Sequence, residues 1–285
     1  MSSDTDDSLD ARVRRARRAL FDARVPDPAA LVVMGTGLGL FPERLDDAVE
    51  FEFADLADVP APWSGARLIA GRFEDLDLWL LEDHSLDDAD GPAWHRAFPC
   101  WLAAAAGARM LVLGTAGASL TDRLAPGSIA VLSDHVDLGG TGTLRALGRS
   151  DLGPLFPDQT RLHVESLRNE AVALASEVGI EVSPAIAACV PGPHLETPAE
   201  ARYWANAGAD VSVQGLGHLL AGAVHAGLGA LTLCAVSGRS GQPADLRRIL
   251  ERAESLAPAI EDLVLRLAGP VAEVAAARSD EAELA

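Results

Sequence analysis

The stretch ALVVMG at residues 30–35 is a wholly apolar run that ends in glycine, and similar runs recur along the chain. The others are RMLVLGTAGA at 109–118, SIAVLSDHVDL at 128–138, IAACVPG at 186–192, DVSVQG at 210–215 and ALTLCAVSG at 230–238. Strands buried on both faces are continuously apolar, whereas strands with one wet face alternate apolar and polar residues. The runs therefore predict a mostly parallel sheet with helices on both faces.

Helical patterns separate these strands, which makes the chain an α/β protein. We expect helices at 9–24, 92–108, 161–178, after 193, after 215 and over 243–275, with a bend at Pro99. RLIAG and LDLWLLE, at 67–71 and 76–82, predict a further pair of strands. No linker or internal repeat is visible, so the sequence predicts a single domain over 9–277. Residues 1–8 are expected to be a disordered N-terminus, and 278–285 a frayed tail.

The charge of the chain argues against two classes of partner. Acidic residues outnumber basic ones by 42 to 23, which gives a net charge of −19. A field of that sign repels nucleic-acid backbones and anionic lipid surfaces. The run ARVRRARRALFDAR at 11–24 raises nucleic-acid binding as an alternative, but a solvated helix face suits the acidic body better. The chain contains no lysine, which excludes Schiff-base chemistry and a P-loop lysine.

Cysteine usage and the N-terminus predict a cytoplasmic protein. Cys100, Cys189 and Cys234 lie far apart in apolar surroundings, which is typical of buried, reduced thiols. MSSDTDDSLD is acidic and lacks the apolar core of a signal peptide. No run of about 18 apolar residues predicts a transmembrane helix.

Three glycine-rich loops follow predicted strands, and ligands of α/β sheets bind at the carboxyl ends of strands. GTGLG at 35–39 would lead into a helix and offer backbone N–H groups to an anion, although such loops are often only tight turns. GTAGA at 114–118 and PGPHLET at 191–197 are the other two. Glu196 in the third is either a ligand-binding carboxylate or a helix-start carboxylate that favours the helix dipole. We expect all three loops to meet at one pocket.

Taken together, the motifs resemble those of the trimeric purine nucleoside phosphorylases, of which the chain looks like a divergent member. They are the glycine loop, GTAGA, SDHVDL at 133–138, GPHLET at 192–197 and GADVSVQG at 208–215, in that order. The similarity covers roughly residues 30–240. It implies a three-layer sandwich whose mixed central sheet is partly closed into a barrel. It also implies a homotrimer that cleaves purine nucleosides with inorganic phosphate and uses neither metal nor organic cofactor.

The resemblance also implies roles for particular residues. The catalytic positions would be Glu196 and His84. The phosphate-binding positions would be Thr36, His84 and Ala116. The positions that contact the base or sugar would be Glu196, Leu195, Gly117, Gln214 and Gly238.

Several positions depart from the family pattern. Residues 81–94 contain no arginine, and Gly215 replaces a phosphate-binding serine. Gly238 replaces an asparagine that contacts the purine, Gln214 replaces a methionine under the sugar, and Leu152 replaces an aromatic from the adjacent subunit. The C-terminal helical region offers no counterpart of the family's histidine for the 5′-hydroxyl. Each lost polar contact of this kind costs a few kcal/mol, on the order of 2–4.

These departures leave three functions open. The first is phosphorolysis, or binding, of a purine nucleoside or nucleoside-like ligand, the activity of a pentosyltransferase. The second is a catalytically inactive homologue that acts as a binding or regulatory subunit. The third is a nucleoside hydrolase that uses water, which loss of phosphate ligands with retention of Glu196 would suit.

Overall fold

The computed structural model describes residues 8–56, 58–82, 91–138, 142–145 and 147–283. Within them, nine strands form one mixed sheet. Its strands are β1 (Ala30–Met34), β2 (Asp46–Glu52), β3 (Arg67–Phe73), β4 (Leu76–Glu82), β5 (Met110–Ser119), β6 (Ile129–Asp137), β7 (Val182–Val190), β8 (Val211–Gln214) and β9 (Gly229–Arg239). The order is β2-β3-β4-β1-β5-β8-β7-β6-β9, and β5 also pairs with β9. That additional pairing closes five strands into a barrel and leaves four as an open extension, which confirms the predicted architecture.

Seven α-helices cover the two faces of this sheet in the described part of the chain. They are α1 (Leu9–Asp22), α2 (Phe98–Ala105), α3 (Glu165–Glu177), α4 (Pro198–Asn206), α5 (Leu216–His225), α6 (Leu246–Arg266) and α7 (Ala268–Glu283). Buried residues of α1, α2 and α5 belong to one apolar cluster, and those of α3, α6 and α7 to another. Successive residues of β1 alternate between the clusters, since Leu31 and Val33 join the first and Ala30 and Val32 the second. This two-sided burial explains why the strands are continuously apolar.

One strand, β2, was not predicted. Its sequence DDAVEFE is almost entirely exposed and lies at an edge of the sheet, where it pairs antiparallel with β3. Charged side chains on an edge strand prevent it from pairing with other chains. Such a strand therefore contains no apolar run. Sequence patterning therefore had no signal for it.

The predicted helix over 92–108 is a short 3₁₀ turn, Ala93–Ala97, followed by α2. Pro99 lies in the first turn of α2, where its missing N–H has no intrahelical partner to lose, so it starts the helix rather than bending it. The expected helix over 243–275 is likewise two helices, α6 and α7.

The chain ends differ from the expected boundaries. Ser8 caps α1 by accepting a hydrogen bond from the N–H of Ala11, and residues 1–7 lie outside the described residues. The predicted frayed tail from 278 is instead helical to Glu283. Arg278 anchors it by donating to the carbonyl of Gly227 at 3.1 Å. Among the described residues, no helix has both the length and the apolarity needed to cross a membrane.

Candidate functional site

A cavity of about 260 Å³ lies where the carboxyl ends of β5 and β9 meet the loop that precedes α4. Ala118 of β5 lies opposite Gly238 of β9, and both line the cavity. Leu195 and Glu196 line it from the loop. The structure thus brings together residues from two of the three predicted loops, at the edge of the sheet where α/β proteins bind ligands.

The third loop, 35–39, lies beside the start of the second. A Cβ atom on Gly114 would come within 2.7 Å of the carbonyl oxygen of Thr36, so this contact requires a glycine. Gly37 has φ +93° and lies against Ile260 of α6. The loop leads into a 3₁₀ turn, Phe41–Arg44, rather than the expected α-helix, so it lacks the aligned N–H groups of an α-helix N-terminus.

Glu196 is the most enclosed acidic group of the cavity, with 9 % of its surface exposed. Its Oε2 accepts a hydrogen bond of 2.6 Å from Ser240 Oγ. The backbone N–H of Ser240 donates in turn to the carbonyl of Ser119 at 2.9 Å, which ties this pair to the end of β5. One carboxylate oxygen is engaged in this bond, and Oε1 can accept a hydrogen bond from a ligand.

The helix-start role considered for Glu196 is filled by its neighbours. The Thr197 side chain accepts from the N–H of Glu200, and the Glu200 carboxylate accepts from the backbone N–H and the hydroxyl of Thr197. These bonds lower the pKa of Glu200. This capping box completes the start of α4 without Glu196, whose side chain lines the cavity.

Gln214, which the resemblance implies to contact the base or sugar, bonds to the loop before α4. Its Nε2 donates to the carbonyl of His194 at 2.9 Å, and its side chain lies against Gly192. Gln214 thereby holds the loop that carries Leu195 and Glu196. Leu195 is half exposed at the rim of the cavity, where it can cover an apolar ring face.

Gly238 is buried, and a Cβ atom there would lie 3.4 Å from Cγ1 of Ile249. Ile249 therefore occupies the space into which a longer side chain at 238 would extend. Arg252, one turn along α6, lines the same cavity and donates through Nη1 to the carbonyl of Ser237 at 2.8 Å. A guanidinium thus lies next to the position where the family pattern has an amide.

Gly117 and Ala116 lie inside β5 rather than in a free loop. A Cβ atom on Gly117 would lie 2.6 Å from the carbonyl oxygen of Ser212, so the close approach of β8 requires glycine here. Ala116 lies opposite Ala235 of β9 and packs on the apolar cluster of α6. The structure thus assigns both residues to the barrel wall.

Of the predicted phosphate-binding residues, Thr36 and Ala116 lie in the described part of the chain. Thr36 is partly buried in the turn after β1, and His84 lies outside the described residues. Gly215, which replaces a serine, caps α5 in a left-handed conformation with φ +71°. Its N–H donates to the carbonyl of Val190 at 3.0 Å, so that donor is already engaged.

Three arginines of the described region line the cavity: Arg239, Arg248 and Arg252. Arg67 and Arg239 form ion pairs of 2.9 Å with Glu50 and Asp122 respectively, and Arg239 also lines the cavity. Arg248 and Arg252 were not predicted, yet both line the cavity from α6. Their spacing of four residues, directly after the last strand and its loop, is the sequence signal that could have indicated them.

The segment that follows Leu152 carries an exposed aromatic residue, Phe156. Phe156 is 88 % exposed and Leu155 beside it is also exposed. Leu152 instead packs against the apolar cluster of α1, α2 and α5.

Comparison with known proteins places these features in a family. The model of the phosphorylase superfamily matches residues 31–268. The chain is similar to purine nucleoside phosphorylase 1 of Bacillus subtilis, with 23 % identity over 253 residues that cover 86 % of this chain and 93 % of the relative. It is 31 % identical over 200 residues to purine nucleoside phosphorylase of Mycobacterium tuberculosis, covering 69 % of this chain and 66 % of the relative. The fold matches the crystal structure of a schistosome purine nucleoside phosphorylase in complex with hypoxanthine, with a TM-score of 0.81, 20 % identity and coverage of 91 % and 97 % of the two chains.

Proposed function

The chain belongs to the phosphorylase superfamily, and on that premise we propose that it binds purine nucleosides and cleaves their glycosidic bond with inorganic phosphate. The observation that carries the proposal is Glu196, an enclosed carboxylate beside Ser240 at the carboxyl ends of β5 and β9. A carboxylate in such a pocket accepts hydrogen bonds from ring N–H groups, and charge makes those bonds strong. The nearby leucine and isoleucine side chains supply the apolar walls that a base needs.

The proposed mechanism is electrostatic and needs no cofactor apart from phosphate as co-substrate. As the glycosidic bond breaks, the base gains negative charge and the sugar becomes an oxocarbenium ion. Phosphate attacks the sugar carbon and replaces the departing base on the ribose. Glu196 orients the base through its N–H edge, while Arg252 next to Gly238 can stabilise negative charge on the opposite edge. Thr36, beside Gly114, and His84 are the proposed phosphate ligands.

A second function, binding with little or no turnover, is favoured by Gly215 and Gly238, which replace two polar residues of the family pattern. Gly238 faces Ile249 instead of presenting an amide, and the N–H of Gly215 is bonded to Val190. Both replacements remove donors that would stabilise a transition state more than a bound base. Such a protein would recognise a purine and act as a binding or regulatory subunit, or release the base slowly with water.

We further propose a cytoplasmic homotrimer. The three buried, free cysteines suit a reducing compartment. Phe156 and Leu155 form an exposed apolar pair of the kind that marks interfaces, and Phe156 is the proposed aromatic that covers the sugar of the adjacent subunit. Light scattering should give a mass of about three chains of 29.7 kDa, and Phe156→Ser should lower it.

The deciding experiment measures base release from a panel of purine nucleosides with and without phosphate, beside the thermal shift produced by each nucleoside. Release only with phosphate supports phosphorolysis. Release without phosphate supports hydrolysis, and a thermal shift without release supports the binding protein. The absence of any shift or release across the panel would contradict all three functions.

A further inference from the structure

A second cluster of functional side chains lies away from this cavity, on β6 and on the segment before α3. His135 Nδ1 and His163 Nε2 are 3.1 Å apart. One potential ligand atom from each of Asp134, His135 and His163 lies within 4.8 Å of the other two. None of the three residues lines the cavity that contains Glu196.

The backbone holds both imidazoles in fixed positions. His135 lies in β6 opposite Ala187 of β7. His163 forms a parallel bridge with Ala230 at the start of β9. Ala230 N–H donates to the carbonyl of Leu162 at 2.7 Å, and Val164 N–H donates to the carbonyl of Ala230 at 3.1 Å. The two ring nitrogens therefore meet because two strands of the barrel bring them together.

Both imidazoles are held neutral, which is the form that binds metal ions. Burial, together with repulsion from His135 in its protonated form and from Arg168, lowers the pKa of His163 to about 4, against the opposing effect of Asp134. Burial also lowers the pKa of His135, against the opposing effects of Asp134 and Asp137. The carboxylate of Asp134 supplies the negative charge that a cation requires.

The hydrogen bond between the rings does not satisfy the pair. Whichever ring donates, His163 Nδ1 is buried and lacks a hydrogen-bond partner among the described residues. A buried polar atom without a partner costs about 1–3 kcal/mol. An ion bound through Nε2 would leave this Nδ1 without a partner, so the unsatisfied nitrogen is a cost that metal binding must overcome.

We propose that Asp134, His135 and His163 form a binding site for a divalent transition-metal ion, with zinc as the best fit. Two nitrogens 3.1 Å apart, each about 2.05 Å from one ion, subtend about 98°, and opening the pair to about 3.3 Å gives the tetrahedral angle. Each lone pair would then have to point about 40° away from the line that joins the two nitrogens, so both rings must turn when the ion binds. Two imidazoles and one carboxylate select zinc, cobalt or nickel over magnesium and calcium. The fourth position remains open to water.

The ion would join β6 to the segment before α3 and takes no part in the proposed phosphorolysis. The inference does not depend on that function, because its ligands lie outside the cavity. If the ion binds the folded chain only, it should raise the melting temperature of the protein.

Calorimetric titration of the chelator-treated full chain with zinc chloride at pH 7.5 tests the proposal. We expect one ion per chain, and a tetrahedral visible absorption spectrum when cobalt replaces zinc. His163→Gln and His135→Gln should each weaken zinc binding at least about tenfold. Glutamine can keep a hydrogen bond to the other ring, so these variants should remain folded. The matched control, His194→Gln at the exposed histidine of the loop before α4, should bind zinc like the wild type.

Asp134→Asn changes an exposed side chain and provides a variant whose folding is not at risk. It should also weaken binding, because an amide is a poorer zinc ligand than a carboxylate. The proposal is overturned if the wild type binds no zinc, or if its affinity is unchanged in Asp134→Asn or in both glutamine variants. It is equally overturned if His194→Gln alone abolishes binding.

Discussion

Replacing Glu196 with alanine removes the one enclosed carboxylate of the cavity and should separate ligand binding from folding. A purine N–H that loses a charged acceptor loses about 1.5–3 kcal/mol, which corresponds to an affinity about 10- to 150-fold weaker. The free energy of unfolding should change less, because the side chain makes one hydrogen bond in the described structure, the 2.6 Å bond from Ser240. We expect a loss of about 1 kcal/mol, or a melting temperature about 2–4 °C lower.

The assay is calorimetry with hypoxanthine and guanine, together with thermal melting of the free and ligand-bound protein. Thr197→Ala is the matched control, because it removes the N-cap of α4 one residue away. It should lower the free energy of unfolding by about 1 kcal/mol and leave purine affinity unchanged. The reasoning fails if Glu196→Ala binds purines like the wild type. It also fails if that variant unfolds while Thr197→Ala stays stable, since Glu196 would then be a structural residue.

Four further outcomes are expected. Inorganic phosphate should bind only in the millimolar range, about −4 kcal/mol, since the Thr36 loop lacks an α-helix N-terminus; micromolar calorimetric affinity would contradict this. Gly117→Ala should destabilise the fold by about 1–3 kcal/mol in chemical unfolding, because its Cβ would meet the carbonyl of Ser212. Arg252→Ala should lower kcat for inosine more than it raises KM, and an unchanged kcat would exclude a role for this guanidinium in charge stabilisation. In metal-free protein, the depressed pKa of His163 means that the unfolded state binds more protons than the folded state between about pH 4 and 6.5. The free energy of unfolding should therefore rise with pH across that window, and urea titrations should show a smaller rise for His163→Gln.

Apolar patterning predicted most of the fold because burial on both faces of a sheet leaves a strong signal. β1 and β9 are continuous apolar runs, and each supplies residues to both apolar clusters. The exposed strand β2 has no such signal, because its residues are mostly charged and form no apolar run. Closure of the barrel depends on the pairing of β5 with β9, two strands far apart in sequence. Local pattern cannot specify that pairing, so the resemblance supplied it.

The candidate site was predicted less completely, because a family motif gives positions but not contacts. Glu196 reaches the cavity as expected, whereas Gln214 bonds to His194 and holds the loop. That difference depends on which atoms lie nearby in space. Arg252 was overlooked because an arginine on an amphipathic helix normally lies on a solvated face. His163 was overlooked because its partner His135 is 28 positions away in sequence.

The polar groups of the cavity indicate which purine edges it can read. Glu196 accepts hydrogen bonds, so it favours an edge that donates a ring N–H. Arg252 only donates, so it favours an edge that carries a carbonyl oxygen or an unprotonated ring nitrogen. A 6-oxopurine offers both kinds of edge, whereas adenine has an unprotonated N1 and an amino group in place of the carbonyl. An adenine would therefore set its unprotonated N1 against Glu196, or its amino group against Arg252, and leave one charged group without a partner. Since an unpaired buried polar group costs about 1–3 kcal/mol, the cavity should discriminate against adenine even though Gly238 no longer supplies an amide.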